Sequence, residues 1–493
     1  MTIRDIGHER QLFIDGRFIE ASAGIALTMN PPVQHPEPVL VADRPWEPMG
    51  LAGYATVLRE PDGRYRMWYG GVCKIGLPSE GAIRLCYAES SDGVHWEKPT
   101  IGRLNFEGSK DNNIVAPPLE RQSMQGATVY RDEDAPPDRR YRLWTKFRPT
   151  DDELAAGAKP GLYAMHSPDG IDWTIDENQP NPQEVACDTQ NMFFFDHRIG
   201  RWVGYTRNKR TQWVGEAAEA RGHRYRSIAR MTSPDFVNWS NVSMEETQTV
   251  IAPDQRDRWA PTPDGEITAR TQVDVYTSCA MPYPWAQDVY IAMPAMYYHW
   301  DESEAPAKMD VQLLTSRDGI RWRRQGDRAP FLRLGRDGSR SSGMIMAVPW
   351  LIDRGEDLCF YHTGTSRLHR THERAEDGDG IFRCTMRKDG FVSADAGYDG
   401  GAFSTPLITF DGGRLELNVQ CSAGGWVRVG LVDEHNAPIE GRELDACDTL
   451  NGDGIAKTVR WAGKSDVSDL HGRPVRLRVE MRDARLFAFG FVK

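Results

Sequence analysis

No run of this chain approaches the ~18 consecutive apolar residues of a membrane-spanning helix, so no membrane partner is expected. Positive charge is short as well: 60 Lys and Arg stand against 71 Asp and Glu, a net charge of −11. Nucleic acid is bound through a positive field, so it is excluded as a partner, while neutral or cationic ligands are easier to accept. Cysteine is sparse and unpatterned. Cys73, Cys86, Cys187, Cys279, Cys359, Cys384, Cys421 and Cys447 show no Cys-x-x-Cys spacing, which argues for free thiols in a reducing compartment over disulfides or zinc ligands. Residues Met1 to His8 have no basic start followed by an apolar core, so a cytoplasmic protein is the expectation. A phosphate-binding Gly-rich loop, Gly-x-Ser-x-Gly and His-Glu-x-x-His are all missing. Asp377 to Gly380 and Asn451 to Gly454 look like calcium loops but lack the Glu at the twelfth position of an EF-hand. No metal or cofactor is therefore expected, with a structural or funnel-bound cation such as calcium left open. Helical periodicity is scarce, and only Glu216 to Arg221 reads as a helical turn.

What the chain does have is a phrase that recurs. Ser91-Asp92-Gly93-Val94-His95-Trp96 returns as Ser167-Pro168-Asp169-Gly170-Ile171-Asp172-Trp173, as Ser233-Pro234-Asp235-Phe236-Val237-Asn238-Trp239 and as Ser316-Arg317-Asp318-Gly319-Ile320-Arg321-Trp322. A decayed fifth copy is Lys388-Asp389-Gly390. The copies lie roughly 65 to 85 residues apart, which marks one supersecondary unit used five times. Each unit offers short apolar runs, such as Ala55 to Leu58, Tyr65 to Tyr69 and Ile83 to Ala88, with Pro61-Asp62-Gly63 as a turn between the first two. In the fourth unit the runs are Val275 to Thr277, Val289 to Ala292 and Val311 to Leu314. A strand after each Trp completes a four-stranded blade, and five blades make a propeller. The phrase itself supplies a turn, with Asp bonding nearby amides and Trp wedged between blades.

The fold class expected is thus all-β: a five-bladed β-propeller over 41–400, an N-terminal strand or hairpin segment, 1–40, joining it, and a C-terminal β-sandwich over 401–493. After Gly401 the repeat stops, and runs such as Leu415 to Val419 and Val427 to Val432 largely alternate, as strands with one wet face do.

In a propeller the starts of the innermost strands converge at one mouth. Along the five units these starts are Trp46-Glu47-Pro48, Ser123-Met124-Gln125, Cys187-Asp188-Thr189-Gln190-Asn191, Gln272-Val273-Asp274-Val275-Tyr276 and Arg340-Ser341-Ser342. Three of the five bring a carboxylate: Glu47, Asp188 and Asp274. Three carboxylates around one funnel repel unless a cation or shared protons relieve them, and a raised acid beside an ionised carboxylate is what glycoside cleavage requires. Lys146, Arg207, Tyr297, His299, His362 and His369 follow the second strands and are expected in loops over the funnel. With Gln190, Tyr276 and Arg340 they are the candidate substrate-binding residues, suited to sugar hydroxyls and apolar ring faces. His299 or His362 could also donate a proton. The plain alternatives are a surface acid in a Pro-flanked loop for Glu47 and a strand-edge acid paired with a nearby Arg for Asp274.

The chain resembles the five-bladed propeller glycosidases, the broad group that includes families 32, 43, 62, 68, 117 and 130. Within it the likeness is to a family-32-like or family-43-like bacterial group, carried by Arg10 to Asp15, Pro45-Trp46-Glu47, Tyr65 to Tyr69, Tyr87 to Gly93, Gly108 to Asn113, Asp188-Thr189-Gln190, Asp445 to Asp448 and Arg460-Trp461. The family 32 signatures Trp-Met-Asn-Asp-Pro-Asn-Gly and Glu-Cys are absent. The resemblance implies that acids from different blades, here Glu47, Asp188 and Asp274, carry the reaction. The expected activity is glycoside hydrolysis, exo-acting on a furanoside or short oligosaccharide. A glycoside phosphorylase or transferase using Arg207, Lys146 or Arg340 for phosphate, and a non-catalytic sugar-binding propeller, are the alternatives. The expected partner is a carbohydrate substrate, and a homo-oligomer is left open.

Overall fold

The computed structural model describes residues 3–73, 83–115, 124–147, 155, 161–179, 189–208, 226–240, 248–257, 273–299, 307–369 and 378–493. The expected turn at Glu216 to Arg221 lies outside them, as do Asp188 and Cys187. Among the described residues the chain is all-β, and no helix is long and apolar enough to cross a membrane.

Four antiparallel sheets follow one another in a β-propeller arrangement of four blades. The first holds Leu51–Arg59, Tyr65–Val72 and Ile83–Ser90, and bridges Cys86–Ile114 and Glu89–Glu97 extend its outer edge. The second holds Thr128–Arg131, Tyr141–Phe147, Gly161–Ser167 and Thr174–Ile175. The third holds Met192–Asp196, Arg201–Asn208, Ser227–Ser233 and Gln248–Ile251. Ala280–Pro282, Tyr290–Ala292, Leu314–Ser316 and Arg323–Arg324 make the fourth.

Additional sheets accompany these four. A seven-stranded sheet joins Val273–Val275, Ala295–His299 and Ala307–Val311 to Met344–Asp353, Asp357–Thr365, Gly380–Arg387 and the N-terminal strand Val33–Val41. A single parallel pair, Met309 with Met344, links its halves. The fourth unit, expected as one meander, is therefore split between the fourth blade and one half of the seven-stranded sheet. Its first strand breaks where Cys279 adopts φ 39°, and its second at Pro294, which has no N–H to donate. Backbone bonds from Tyr276 to Ala295 (2.8 Å), Met293 to Cys279 (3.3 Å) and Gln312 to Pro294 (3.2 Å) carry the ladder across the break.

The repeated phrase is the joint between sheets. In every full copy one Asp oxygen accepts the amides two and three residues on: Asp92 from Val94 and His95, Asp169 from Ile171 and Asp172, Asp235 from Val237 and Asn238, Asp318 from Ile320 and Arg321. The serine that braces the turn in the first copy is Ser90, in register with Ser167, Ser233 and Ser316, and not Ser91. The residue after the Asp has positive φ in every full copy, and in three of them its carbonyl accepts from a side chain of the neighbouring unit. Tyr361 donates to Gly93 (2.7 Å), Trp68 to Gly170 (2.7 Å) and Tyr205 to Gly319 (2.6 Å). A Cβ on Gly170 would lie 2.5 Å from the Trp68 ring, so the tight turn and the close approach both call for glycine there. Phe236 takes the place of glycine in the third copy at φ 70°, held among the rings of Trp144, Phe193, Trp202 and Trp239. In the decayed fifth copy Tyr283 donates to Asp389 at 2.6 Å.

The remaining large sheet is built on two long strands, Arg414–Val432 and Arg476–Val492, paired antiparallel. It has its own core, in which Phe410 stacks on Phe491 and Trp461 is buried. Val392–Ala396 and Gly401–Ser404 join it, as do N-terminal strands Gln11–Leu12, Ala21–Ala23 and Ile25–Met29. Among the described residues of the N-terminal segment, Val33–Val41 pairs instead with Gly380–Arg387 of the seven-stranded sheet.

Candidate functional site

Antiparallel pairing puts the start of each first strand beside the end of the second: Leu51 opposite Gly71, Val273 opposite Tyr298, Met344 opposite Thr365. The third strands begin at this same end. Five of the residues expected at the mouth meet there in one buried cluster. Asp274, 1% exposed, accepts a 2.6 Å bond on Oδ2 from Nη1 of Arg226. The Arg226 guanidinium lies 5.4 Å from the Tyr276 ring centre and 5.1 Å from that of Tyr297. The Arg207 guanidinium also lies over Tyr276, 5.6 Å from its ring centre, with its backbone amide fixed on Asn191 Oδ1 at 3.1 Å. The two tyrosine rings stack at 5.6 Å with 12° between planes. His369 bridges them, Nε2 to the Tyr276 hydroxyl at 3.1 Å and Nδ1 to the Tyr297 hydroxyl at 3.0 Å.

The electrostatics hold this cluster together. Burial alone would lower the Arg226 value, but the Asp274 carboxylate and then the two phenols more than offset it, so the guanidinium ends above its ordinary value. Each guanidinium over a tyrosine face adds a cation–π attraction that strengthens with desolvation. A neutral imidazole has one N–H and one bare nitrogen, so His369 accepts from one phenol and donates to the other, a short relay for a proton.

The other expected residues are placed differently. Glu47 is closed off: Oε2 accepts from the amides of Asp43 (3.1 Å) and Arg44 (3.2 Å) and from Lys98 Nζ (2.8 Å), and Oε1 from the Tyr69 hydroxyl (2.6 Å). Its side chain has no exposed surface. The residue expected as a reacting acid thus anchors a turn, because the chain between Asp43 and Glu47 folds the carboxylate back onto its own amides. Gln190 donates to the carbonyls of Ala55 (2.8 Å) and Ala127 (3.2 Å), tying the third unit to the first and second. Lys146, Arg207, Tyr297, His299 and His362 all lie within strands, not in loops beyond them. His299 closes its strand opposite Ala307. Arg340 is half-buried before Met344, with Nη1 3.0 Å from where a Cβ on Gly378 would sit.

His362 is a core residue, 2% exposed, stacked on Phe382 at 5.1 Å and bonded through Nδ1 to the Thr363 carbonyl. Burial pulls its value down from 6.5 to about 4, so it is neutral near pH 7 and is no proton donor there. Below about 6.5 the unfolded chain takes up a proton that the folded chain refuses until about 4, so this part of the stability is present above 6.5 and is lost as pH falls toward 4. His362→Phe is expected to flatten the fall in melting temperature between about pH 7 and pH 5. Equal slopes in the two proteins would contradict the assignment.

No protein-family model matches the chain. The uncharacterized proteins MT1551 and Rv1502 of Mycobacterium tuberculosis are each 33% identical to it over 175 residues, 34% of this chain and 50% of theirs, so the chain spans about half the length of the curated relatives it matches. Among solved structures, an N-acetylgalactosamine deacetylase from F. plautii in complex with blood group B trisaccharide has a TM-score of 0.45 at 16% identity, covering 74% of this chain and 96% of that one. A β-1,2-mannobiose phosphorylase from Listeria innocua has a TM-score of 0.44 at 12% identity, covering 72% and 96%.

Three residues at the mouth were not among those expected there. Arg226 and Asp379 immediately precede third strands, and Arg367 follows a second strand two residues on. Asp379 Oδ2 accepts from the Leu51 amide at 2.9 Å and from Arg367 Nη2 at 2.5 Å. For Arg226 and Asp379 the third-strand starts were the missing signal, whereas Arg367 stands in the same second-strand exit as His369. Among the described residues no three His, Cys, Asp or Glu converge as metal ligands.

Proposed function

We propose that this protein is a carbohydrate-active enzyme, a glycoside hydrolase acting at the mouth of a five-bladed ring. The observation that carries the reading is the buried constellation of Asp274, Arg226, Tyr276, Tyr297 and His369 at the strand starts. A glycosidic bond breaks when one acid protonates the leaving oxygen while a carboxylate, directly or through water, attacks the anomeric carbon. In this proposal Asp274, oriented by Arg226, supplies one carboxyl and Asp188 the other. The stacked tyrosines and His369 brace the Arg226–Asp274 pair from behind, and Glu47 holds the wall.

Ring closure is supported by the cyclic order of joints: aromatic side chains of successive units reach the phrase in the next, with Tyr361 of the last reaching Gly93 of the first. On this reading Val33–Val41 completes the last blade, and the sheet of the two long strands belongs to an accessory sandwich. Free cysteines, Cys86, Cys279, Cys359 and Cys384 buried among them, favour the cytoplasm as its location.

A second reading, a glycoside phosphorylase, is favoured by one observation: Arg207 and Arg226 both flank Tyr276, and paired guanidiniums suit an oxyanion acceptor. A screen of aryl glycosides, furanosides included, with and without inorganic phosphate is the test. Free sugar released without phosphate is the expected result. Turnover only with phosphate, giving a sugar phosphate, would replace hydrolysis by phosphorolysis, and sugar binding with no turnover would make the ring a binding module.

A further inference from the structure

We propose that the cavity between Leu51–Arg59 and Met344–Asp353 is a subsite for a single neutral sugar ring, gripped through a vicinal diol by Asp379 and Arg367. The inference rests on the carbohydrate reading above and names where a ring sits. The cavity has a volume of about 190 Å³ and is lined by Leu51, Gly53, Met344, Met346, Arg367 and Asp379 among others. For scale, a dry cavity of about 150 Å³ takes a benzene ring.

The polar pair is held in place and still has bonding capacity. Asp379 is 3% exposed, and its Oδ2 is held by the Leu51 amide and Arg367. Its Oδ1 is buried with no hydrogen-bond partner among the described residues. A buried carboxylate oxygen left unpaired is costly, and a ligand hydroxyl donating to it removes that cost. Arg367 sends Nη2 to Asp379, Nη1 to the Met49 carbonyl (3.4 Å) and Nε to Thr365 Oγ1 (3.4 Å). A guanidinium has five N–H groups, so donors remain for the oxygen of an adjacent hydroxyl. One acceptor beside one donor is the complement of two neighbouring hydroxyls.

The walls fit a ring rather than a chain. Met344, Met346 and Leu51 present apolar surface to C–H faces, and glycine keeps the space open. A Cβ on Gly53 would lie 2.2 Å from Met346 Cε, and one on Gly50 would lie 2.0 Å from Asp379 Oδ2. The cavity adjoins the cluster already described: Met346 packs in one core with Tyr276 and Tyr297, and Leu368, which lines the cavity, precedes His369. A ring seated here therefore sits beside the tyrosine pair.

The test is calorimetric titration of the whole chain with a panel of methyl glycosides of neutral pentoses and hexoses, pyranosides and furanosides both. At least one is expected to bind, and Asp379→Asn should weaken it about tenfold or more by removing the charged acceptor. Gly53→Ala, which leaves Asp379 in place but narrows the cavity, should weaken the same ligand and serves as the deciding variant where Asp379→Asn melts early. Binding by the wild type that both variants keep would overturn the subsite and leave the carbohydrate reading standing. No binding of any glycoside by the wild type would overturn both.

Discussion

Asp274→Asn is expected to lower kcat on whichever aryl glycoside proves to be a substrate by about 10²–10⁴-fold, with sugar affinity nearly unchanged. The amide keeps the shape of the carboxyl and can still accept from Arg226, but it neither attacks an anomeric carbon nor takes up a proton. The split between kcat and KM is the useful part. A residue that only positions substrate would raise KM, whereas a group that reacts lowers kcat and leaves binding alone. Arg226 loses its charged partner in this variant, and an uncompensated buried cation destabilises. Rates are therefore to be compared well below the melting transition. Arg226→Lys offers the complementary measurement: it keeps a charge near Asp274 but lacks the planar fork over the two tyrosines, so an intermediate rate is expected. An Asp274→Asn enzyme with undiminished kcat would remove Asp274 from the reaction and leave the cluster as a structural joint.

The repeated phrase made the architecture legible. A turn that uses Asp to bind its own amides and glycine to approach an indole leaves a rigid sequence signature, and Asp169 and Gly170 carry it unmistakably. Register then told which strand starts share one end, and Asp274, Tyr276, Arg207, Tyr297 and His369 do meet there. Position was readable; orientation was not. Glu47 stands at the same kind of strand start as Asp274, yet the turn from Asp43 to Glu47 aims its carboxylate inward, a matter of local backbone direction that spacing does not encode. His362 failed for another reason: a histidine within a strand follows the pleat, and one face of that strand packs on Phe382. Asp379 was visible only as part of a calcium-like Asp-Gly-Asp-Gly run, and what matters about it is its tie to Leu51, more than three hundred residues away in sequence.

Glu47→Ala is expected to destabilise the fold by about 3–5 kcal/mol, the cost of breaking a buried ion pair by removing one partner. Four donors lose their acceptor at once: two backbone amides, the Tyr69 hydroxyl and the Lys98 ammonium. Lys98, whose side chain is 5% exposed, keeps the Val41 carbonyl and the Asp43 carboxylate, but Asp43 is half in solvent and replaces little of what is lost. Burial already pushes the Tyr69 phenol well above its ordinary value, so the phenol does not ionise to make good the missing charge near neutral pH. Glu47→Gln is the sharper variant. It preserves volume but turns an NH₂ group toward a site built from donors, so it should still cost about 1–3 kcal/mol. The urea unfolding midpoint and the rate at a permissive temperature separate the two roles open to this residue. An anchor predicts a lowered midpoint with the rate of the folded fraction largely kept. A reacting acid predicts the reverse, an unchanged midpoint and a rate lost by orders of magnitude, and that outcome would return Glu47 to the reaction beside Asp274.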